Sequence, residues 1–167
     1  MEPRAQDHWV FAYGSNLNLS DLRRWLTANQ YNPAGILALH PAILRHYQLV
    51  WDYQSPVRQG GAANVTPSPD AWVYGGLLQI DQATLHALDQ KEGHPKRYSR
   101  GSQEQLCELT ETKKGIKAWV YEVQAEYKQS SFTPPRQHYR DLVATGAAEL
   151  GLPESWVSML QATPTLD

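Results

Sequence analysis

Two stretches carry side chains whose type and spacing could do chemistry. In Phe11-Ala12-Tyr13-Gly14-Ser15-Asn16-Leu17 an apolar run, His8 to Tyr13, stops at a Gly-Ser-Asn turn, and a helical pattern follows. Glycine takes positive φ freely and asparagine takes it more readily than other residues. Gly14 to Asn16 can therefore curl until successive backbone N–H groups face one way, an arrangement that binds anions. The plainer alternative is a tight strand-to-helix turn in which Ser15 or Asn16 caps the helix. The second stretch is Leu88-Asp89-Gln90-Lys91-Glu92-Gly93. Asp81 predicts the N-cap of a helix from Gln82 to Glu92, which Gly93 terminates and Pro95 keeps from resuming. Leu85 and Leu88 define its apolar stripe, and Glu92 continues along that stripe. A carboxylate is thus aimed at the core side, where partial desolvation and the negative end of the helix both disfavour its charged form. The alternative for Glu92 is a helix end frayed out to solvent.

The elements that must position these groups follow from periodicity. Leu19, Leu22, Trp25 and Leu26 recur at helical spacing, with Ser20 and Asp21 as N-terminal signals. Two β-type runs, Pro33 to Leu39 and Ala42 to Tyr53, lie either side of His40-Pro41 and predict neighbouring strands. Gln54 to Gln59 is a polar loop, and Gly60 to Val65 is a strand of small residues that other backbone or a ligand can approach closely. Pro67-Ser68-Pro69-Asp70 ends it. Trp72 to Ile80 alternates as a strand, and Gly75-Gly76 predicts a sharp coil or bulge of the kind a closing barrel needs. Beyond the Glu92 helix, Tyr98 to Ser102, Glu104 to Glu111 and Ile116 to Val123 read as strands, the last two joined as a hairpin at Lys113-Lys114-Gly115. A polar loop from Gln124 to Thr133 leads to Pro134-Pro135 and a helix with the stripe Tyr139, Leu142, Val143, Ala147 and Leu150, ended by Gly151. Pro153 to Gln161 is a last short helix. No repeat, low-complexity tract or linker interrupts the chain, and residues 1–167 read as one α+β domain.

Composition excludes several classes. The 167 residues are 41% hydrophobic with six Trp, enough for one sizeable core. A formal charge of −2 and no Lys/Arg run beyond a pair lack the footprint of a nucleic-acid binder, so a small neutral or anionic ligand fits better. Met1 to Asp7 has no apolar h-region and no run of apolar residues is long enough to span a bilayer, which points to a cytoplasmic protein without membrane attachment. The single Cys107 cannot form an internal disulfide and reads as a small core residue on a strand. Six histidines occur without HExxH, HxH or a second cysteine, so no metal site is expected. Ser15 is not in a G-x-S-x-G elbow. His94, close to Glu92, reads as an exposed loop histidine.

The two chemical stretches, with a third, carry a resemblance. Phe11 to Leu17 resembles the signature loop of the γ-glutamylcyclotransferase family, which also includes γ-glutamylamine cyclotransferases. Leu88 to Gly93 falls where that family keeps its acid/base, and Pro134-Pro135, Tyr139, Gly146 and Gly151-Leu152-Pro153 resemble the tail of γ-glutamylcyclotransferase proper. The match runs from about Val10 to about Ala162. It implies a small, mostly antiparallel closed β-barrel of mixed strands with helices packed around it, and a homodimer as a family-level expectation. It further implies that Glu92 is the general acid/base, that Tyr13, Gly14, Ser15, Asn16 and Leu17 hold the γ-glutamyl group, and that the hydroxyls of Tyr98 and Tyr139 orient the substrate, a small γ-glutamyl compound.

The implied reaction explains why so few groups suffice. A γ-glutamyl amide carries its own nucleophile, the α-amino group, whose attack on the γ-carbonyl closes a five-membered ring. Effective molarities for such attack reach roughly 10⁵ M or more, so the protein mainly folds the substrate and moves protons, with no metal or cofactor. The products are 5-oxoproline and a free amino acid or amine. Departures from the family pattern at Gly93-His94-Pro95-Lys96-Arg97, and Asn64 where Thr is more usual, leave the leaving group open. Two alternatives stand beside this expectation: removal of a γ-glutamyl protecting group from a biosynthetic intermediate, and a non-catalytic module that binds a γ-glutamyl or other carboxylate metabolite or a partner protein.

Overall fold

Strands that sequence punctuation divides are continuous in three dimensions. The computed structural model describes residues 7–167. Residues 1–6, most of the stretch that shows no apolar h-region, lie outside the described residues. Strand β1 (His8–Ala12) is followed by one turn of 3-10 helix at Ser15–Leu17 and by helix α1 (Leu19–Ala28). Then come β2 (Ile36–Ser55) and β3 (Gly60–Ile80), each a single strand where the sequence predicts two. Pro67 and Pro69 do not end β3, because the irregularity between Arg45 and Tyr47 on β2 faces them and absorbs the misfit. Register shifts fall between Ile36 and Ala38, Arg45 and Tyr47, and Val50 and Tyr53, and His46 takes φ +68° in the second of them. Pro41 stays in the ladder opposite Gly76, and its carbonyl accepts from the Thr110 N–H at 3.1 Å.

Helix α2 (Gln82–Glu92) leads to β4 (Tyr98–Ser99), the hairpin β5 (Gln105–Leu109) and β6 (Gly115–Ala118), and β7 (Glu122–Val123). Helices α3 (Gln137–Leu150) and α4 (Glu154–Gln161) close the chain. Five strands pair antiparallel in the order β1-β3-β2-β5-β6, and β4 pairs with β7 in a separate two-stranded sheet.

The α+β class holds, but the expected closed barrel does not: the larger sheet is open. Its edges, β1 and β6, are linked only by an isolated parallel bridge between Val10 and Trp119. Phe11 N–H donates to Trp119 O and Trp119 N–H to Trp9 O, both at 2.9 Å, and no ladder extends from them. Strand β6, four residues long, ends before it can pair along β1. Gly75 and Gly76 serve close packing instead of closure, since a Cβ on Gly75 would strike Ala12 O and Phe11, and one on Gly76 would lie 2.5 Å from Leu39. Phe11, Leu22, Leu26, Leu77, Leu78 and Leu88 are fully buried in one continuous core. No helix among the described residues is long and apolar enough to cross a membrane.

Candidate active site

Helix α2 delivers the carboxylate. Asp81 caps it, with Oδ1 accepting from Thr84 N–H at 2.9 Å, and Gly93 terminates it at φ +69°. Leu85 and Leu88 are buried, and Glu92 continues their stripe inward with its side chain only 16% exposed. The carboxylate does not fray to solvent. Asn16 Nδ2 donates to Glu92 Oε1 at 3.0 Å, so the two stretches that carry chemistry in the sequence meet directly.

The loop achieves this without the expected nest. No residue from 14 to 16 has positive φ; Gly14 sits at φ −119°. Leu17 N–H donates to Gly14 O and Asn18 N–H to Ser15 O, both at 3.0 Å, which winds the loop into a right-handed 3-10 turn. The cap of α1 is Asn18, whose Oδ1 accepts from Asp21 N–H at 3.1 Å, and neither Ser15 nor Asn16 serves as one. Gly14 brings the loop close to its neighbours: a Cβ there would lie 3.2 Å from the Tyr139 hydroxyl and 3.4 Å from Ala63 Cβ, a tight contact. Behind the loop, a Cβ on Gly146 of α3 would come within 2.7 Å of the Leu17 backbone, so the helix packs directly on the turn. Leu17 itself lies in the core, away from the cavity walls.

Tyr98 and Tyr139 converge on the strand of small residues, and Tyr13 turns to the stretch before β7. Tyr139 OH accepts from Ala63 N–H at 3.2 Å, Tyr98 OH donates to Ala63 O at 2.7 Å, and Tyr13 OH donates to Tyr121 O at 2.6 Å. Burial raises all three hydroxyls above the usual phenol range, Tyr139 to about 12.

Two connected spaces result. An outer cleft of about 680 Å³ is lined by residues of α1, the β2–β3 turn, the end of α2 and the segment after it. A niche of about 30 Å³ lies inside it, walled by the loop, Ala63 and four tyrosines. Ser15, Glu92, Tyr98 and Tyr139 border both spaces. Glu92 therefore stands at the junction, within reach of a molecule that spans the two. No group of three or more His, Cys, Asp or Glu among the described residues is arranged to hold a metal ion.

Three residues without a role in the sequence reading belong here. Lys91 has a side chain only 8% exposed and donates to Asn16 Oδ1 at 2.7 Å and Ser15 Oγ at 3.2 Å, with Glu92 Oε1 3.8 Å away. Burial lowers its pKa, and the neighbouring Glu92 carboxylate works the other way. Tyr121 walls the niche and donates through its hydroxyl to Asp89 Oδ1 at 2.7 Å. Asp89 also takes two hydrogen bonds from Arg100, at 2.8 and 3.1 Å. The only signal for Lys91 and Asp89 was their place in the Leu88 to Gly93 motif. His94 does not reach the cavity; its Nδ1 meets Arg100 N–H at 3.3 Å. Cys107 is a core residue, with burial pushing its thiol up to about 12.

A family model described as gamma-glutamyl cyclotransferase, AIG2-like, matches residues 10–141. Among solved structures, the chain is similar to an uncharacterised protein from Homo sapiens at 26% identity and TM-score 0.78, covering 97% of this chain and 90% of that one. It is equally similar to a gamma-glutamyl cyclotransferase, again at 26% identity and TM-score 0.78, covering 96% and 90%. A yeast gamma-glutamyl cyclotransferase specific to glutathione shares the fold at 14% identity and TM-score 0.61, covering 93% and 94%. No curated protein matches the sequence.

Proposed function

This chain belongs to the gamma-glutamyl cyclotransferase, AIG2-like family, and from that premise we propose that it converts a γ-glutamyl amide into 5-oxoproline and a free amine or amino acid, with Glu92 as general acid/base. The observation that carries this is the position of Glu92 between the niche and the cleft, its Oε1 held by Asn16. A niche of about 30 Å³ has room for one or two small polar groups and not for a whole glutamyl moiety. The glutamyl group would therefore lie across the junction, one polar end in the niche beside Tyr13 to Asn16, its γ-carbonyl next to Glu92.

The chemistry then carries two protons from the α-nitrogen to the departing nitrogen. The α-ammonium of the substrate gives the first proton to the Glu92 carboxylate, its nitrogen attacks the γ-carbonyl carbon, and the new C–N bond closes the ring with two hydrogens still on that nitrogen. The old C–N bond breaks as Glu92 returns the first proton to the departing nitrogen, and the ring nitrogen then gives up its second proton through Glu92 to the released amine, which leaves as an ammonium beside neutral lactam N–H. Because Asn16 and Lys91 both approach Oε1, Oε2 is the oxygen left to exchange the proton. Tyr98 and Tyr139, tied to the Ala63 peptide, present rigid aromatic walls that keep the substrate folded for attack. The proposal is of a cytoplasmic enzyme that uses a small-molecule substrate and no metal or cofactor.

Proton NMR of the protein with a panel of γ-glutamyl amino acids and amines tests the reading. The expected outcome is 5-oxoproline, with formation reduced roughly 10²- to 10⁴-fold in Glu92→Gln, the usual worth of a general acid/base, while substrate binding is retained. Free glutamate in place of 5-oxoproline, or normal turnover by Glu92→Gln, would overturn it.

A further inference from the structure

The outer cleft is much larger than the junction chemistry needs, and its charge is not balanced. The cations on its walls are Arg24, Arg58, Lys91 and Arg97, set against two carboxylates, Asp21 and Glu92. Lys91 is already engaged with the loop and Glu92. Asp21 is shared between two guanidiniums, Arg24 at 3.8 Å and Arg58 at 3.6 Å, and cannot neutralise both. Arg97 has no carboxylate among the described residues within 4.0 Å; its charge acts on the Tyr53 hydroxyl, which lines the same cleft, and opposes the rise that burial gives that phenol.

Arg58 is held in place before any ligand arrives. Its backbone N–H donates to Ser55 Oγ at 3.1 Å, its guanidinium Cζ lies 5.2 Å from the centre of the Tyr139 ring, and its side chain is 25% exposed. A fixed, partly desolvated guanidinium beside a tyrosine that also borders the niche is well suited to grip a carboxylate.

We infer that the outer cleft is the leaving-group subsite and that it selects a leaving group bearing a free carboxylate, an amino acid or short peptide, over a neutral amine, with Arg58 and Arg97 as the selecting residues. This rests on the cyclotransferase reading. Glu92 and the loop act on the glutamyl half and are indifferent to what departs; the arginines face the other half. Trp25 and Val57, on the same walls, offer apolar surface to the leaving group's side chain.

The test compares γ-glutamyl-alanine with γ-glutamyl-alaninamide, which are nearly equal in size and differ in the charge. Wild-type kcat/KM is expected to favour the acid roughly 10- to 100-fold, the worth of one hydrogen bond to a charged group. The preference should shrink as salt is raised and approach unity in Arg58→Gln/Arg97→Gln, with the change carried by KM. Equal kcat/KM for the two substrates in the wild type, a comparison that needs no variant, would overturn the inference, as would a preference that survives in a folded double variant. Turnover of both at the same rate, or of γ-glutamyl amines with neither of these two, leaves the cyclotransferase reading standing and refutes only this inference; 5-oxoproline from no member of the wider panel of γ-glutamyl amino acids and amines would sink the reading and the inference together.

Discussion

Lys91 is a charged side chain held 8% exposed in the site. Desolvation lowers its pKa, and the structure offsets that penalty by aiming the ammonium at Asn16 Oδ1, Ser15 Oγ and the Glu92 carboxylate. The pairing fixes which way the Asn16 amide faces: with its oxygen committed to Lys91, its nitrogen must donate to Glu92. Lys91 thus acts through Asn16 on Glu92 as a positioning residue. Lys91→Met keeps the stem and removes the charge, which leaves Asn16 Oδ1 without its donor and Glu92 without its neighbouring cation, so stability should fall by roughly 1–3 kcal/mol. Well below the thermal midpoint, where the variant is folded, kcat/KM is expected to fall roughly 10- to 100-fold, the value of one charge-assisted contact. A large drop in midpoint with unchanged kcat/KM would make Lys91 a structural residue only.

At the level of the element, α2 is anchored one turn before Glu92. Arg100 grips Asp89 through two hydrogen bonds, Tyr121 adds a third, and Tyr13 ties back to the Tyr121 carbonyl. The Arg100 guanidinium also lies 4.4 Å over the Trp119 ring. Burial alone would raise the Asp89 carboxyl, but the hydrogen bonds from Arg100 and Tyr121 outweigh it and hold the carboxyl below its usual value. A depressed folded-state pKa contributes stability that is present above the unfolded-state value, about 3.9, and is lost as pH falls through the folded one. Asp89→Asn should therefore lower the urea-unfolding free energy by roughly 1.5–3 kcal/mol at pH 7, and the gap from the wild type should narrow in acid below about pH 3.9. A gap that does not change with pH would mean the charge is not what holds the helix. Helix α2 was legible because its cap, stripe and terminator are all local. The Asp89 network was not, because Tyr121 lies in a stretch that reads as one strand and is broken into β6 and β7. Likewise β2 and β3 read as four strands because a bulge belongs to a strand pair, and no single segment records it. The role of Lys91 is not local either, since its partners sit on a loop 75 residues away.

At the scale of the whole molecule, an open sheet leaves a wall that other segments must complete, and four buried tyrosines do so. Tyr13 comes from the end of β1, Tyr98 from β4, Tyr121 from the stretch before β7, and Tyr139 from α3. Burial raises each hydroxyl first, and the charge of Glu92 adds to the shift in every case. Each folded-state pKa lies above the unfolded value of about 10, so the folded protein keeps protons that the unfolded chain would release. The stability these phenols contribute is complete below about pH 10 and is lost as pH rises through the folded values. The slope is roughly 1.4 kcal/mol per pH unit for each phenol. Four such groups acting together over one unit would remove about 5 kcal/mol, comparable to the whole stability of an ordinary domain. Base should therefore expose the niche tyrosines by unfolding the protein and not by titrating them one at a time. Phenolate absorbance and far-ultraviolet circular dichroism, followed together above pH 10, are expected to show these tyrosines ionising in the same step that loses secondary structure. Tyr139→Phe should be less stable at pH 7, because the Ala63 N–H loses its acceptor, and should fall less steeply in base. Ionisation of all four phenols with the fold intact would mean that the niche admits water freely and that burial is not what keeps these hydroxyls protonated.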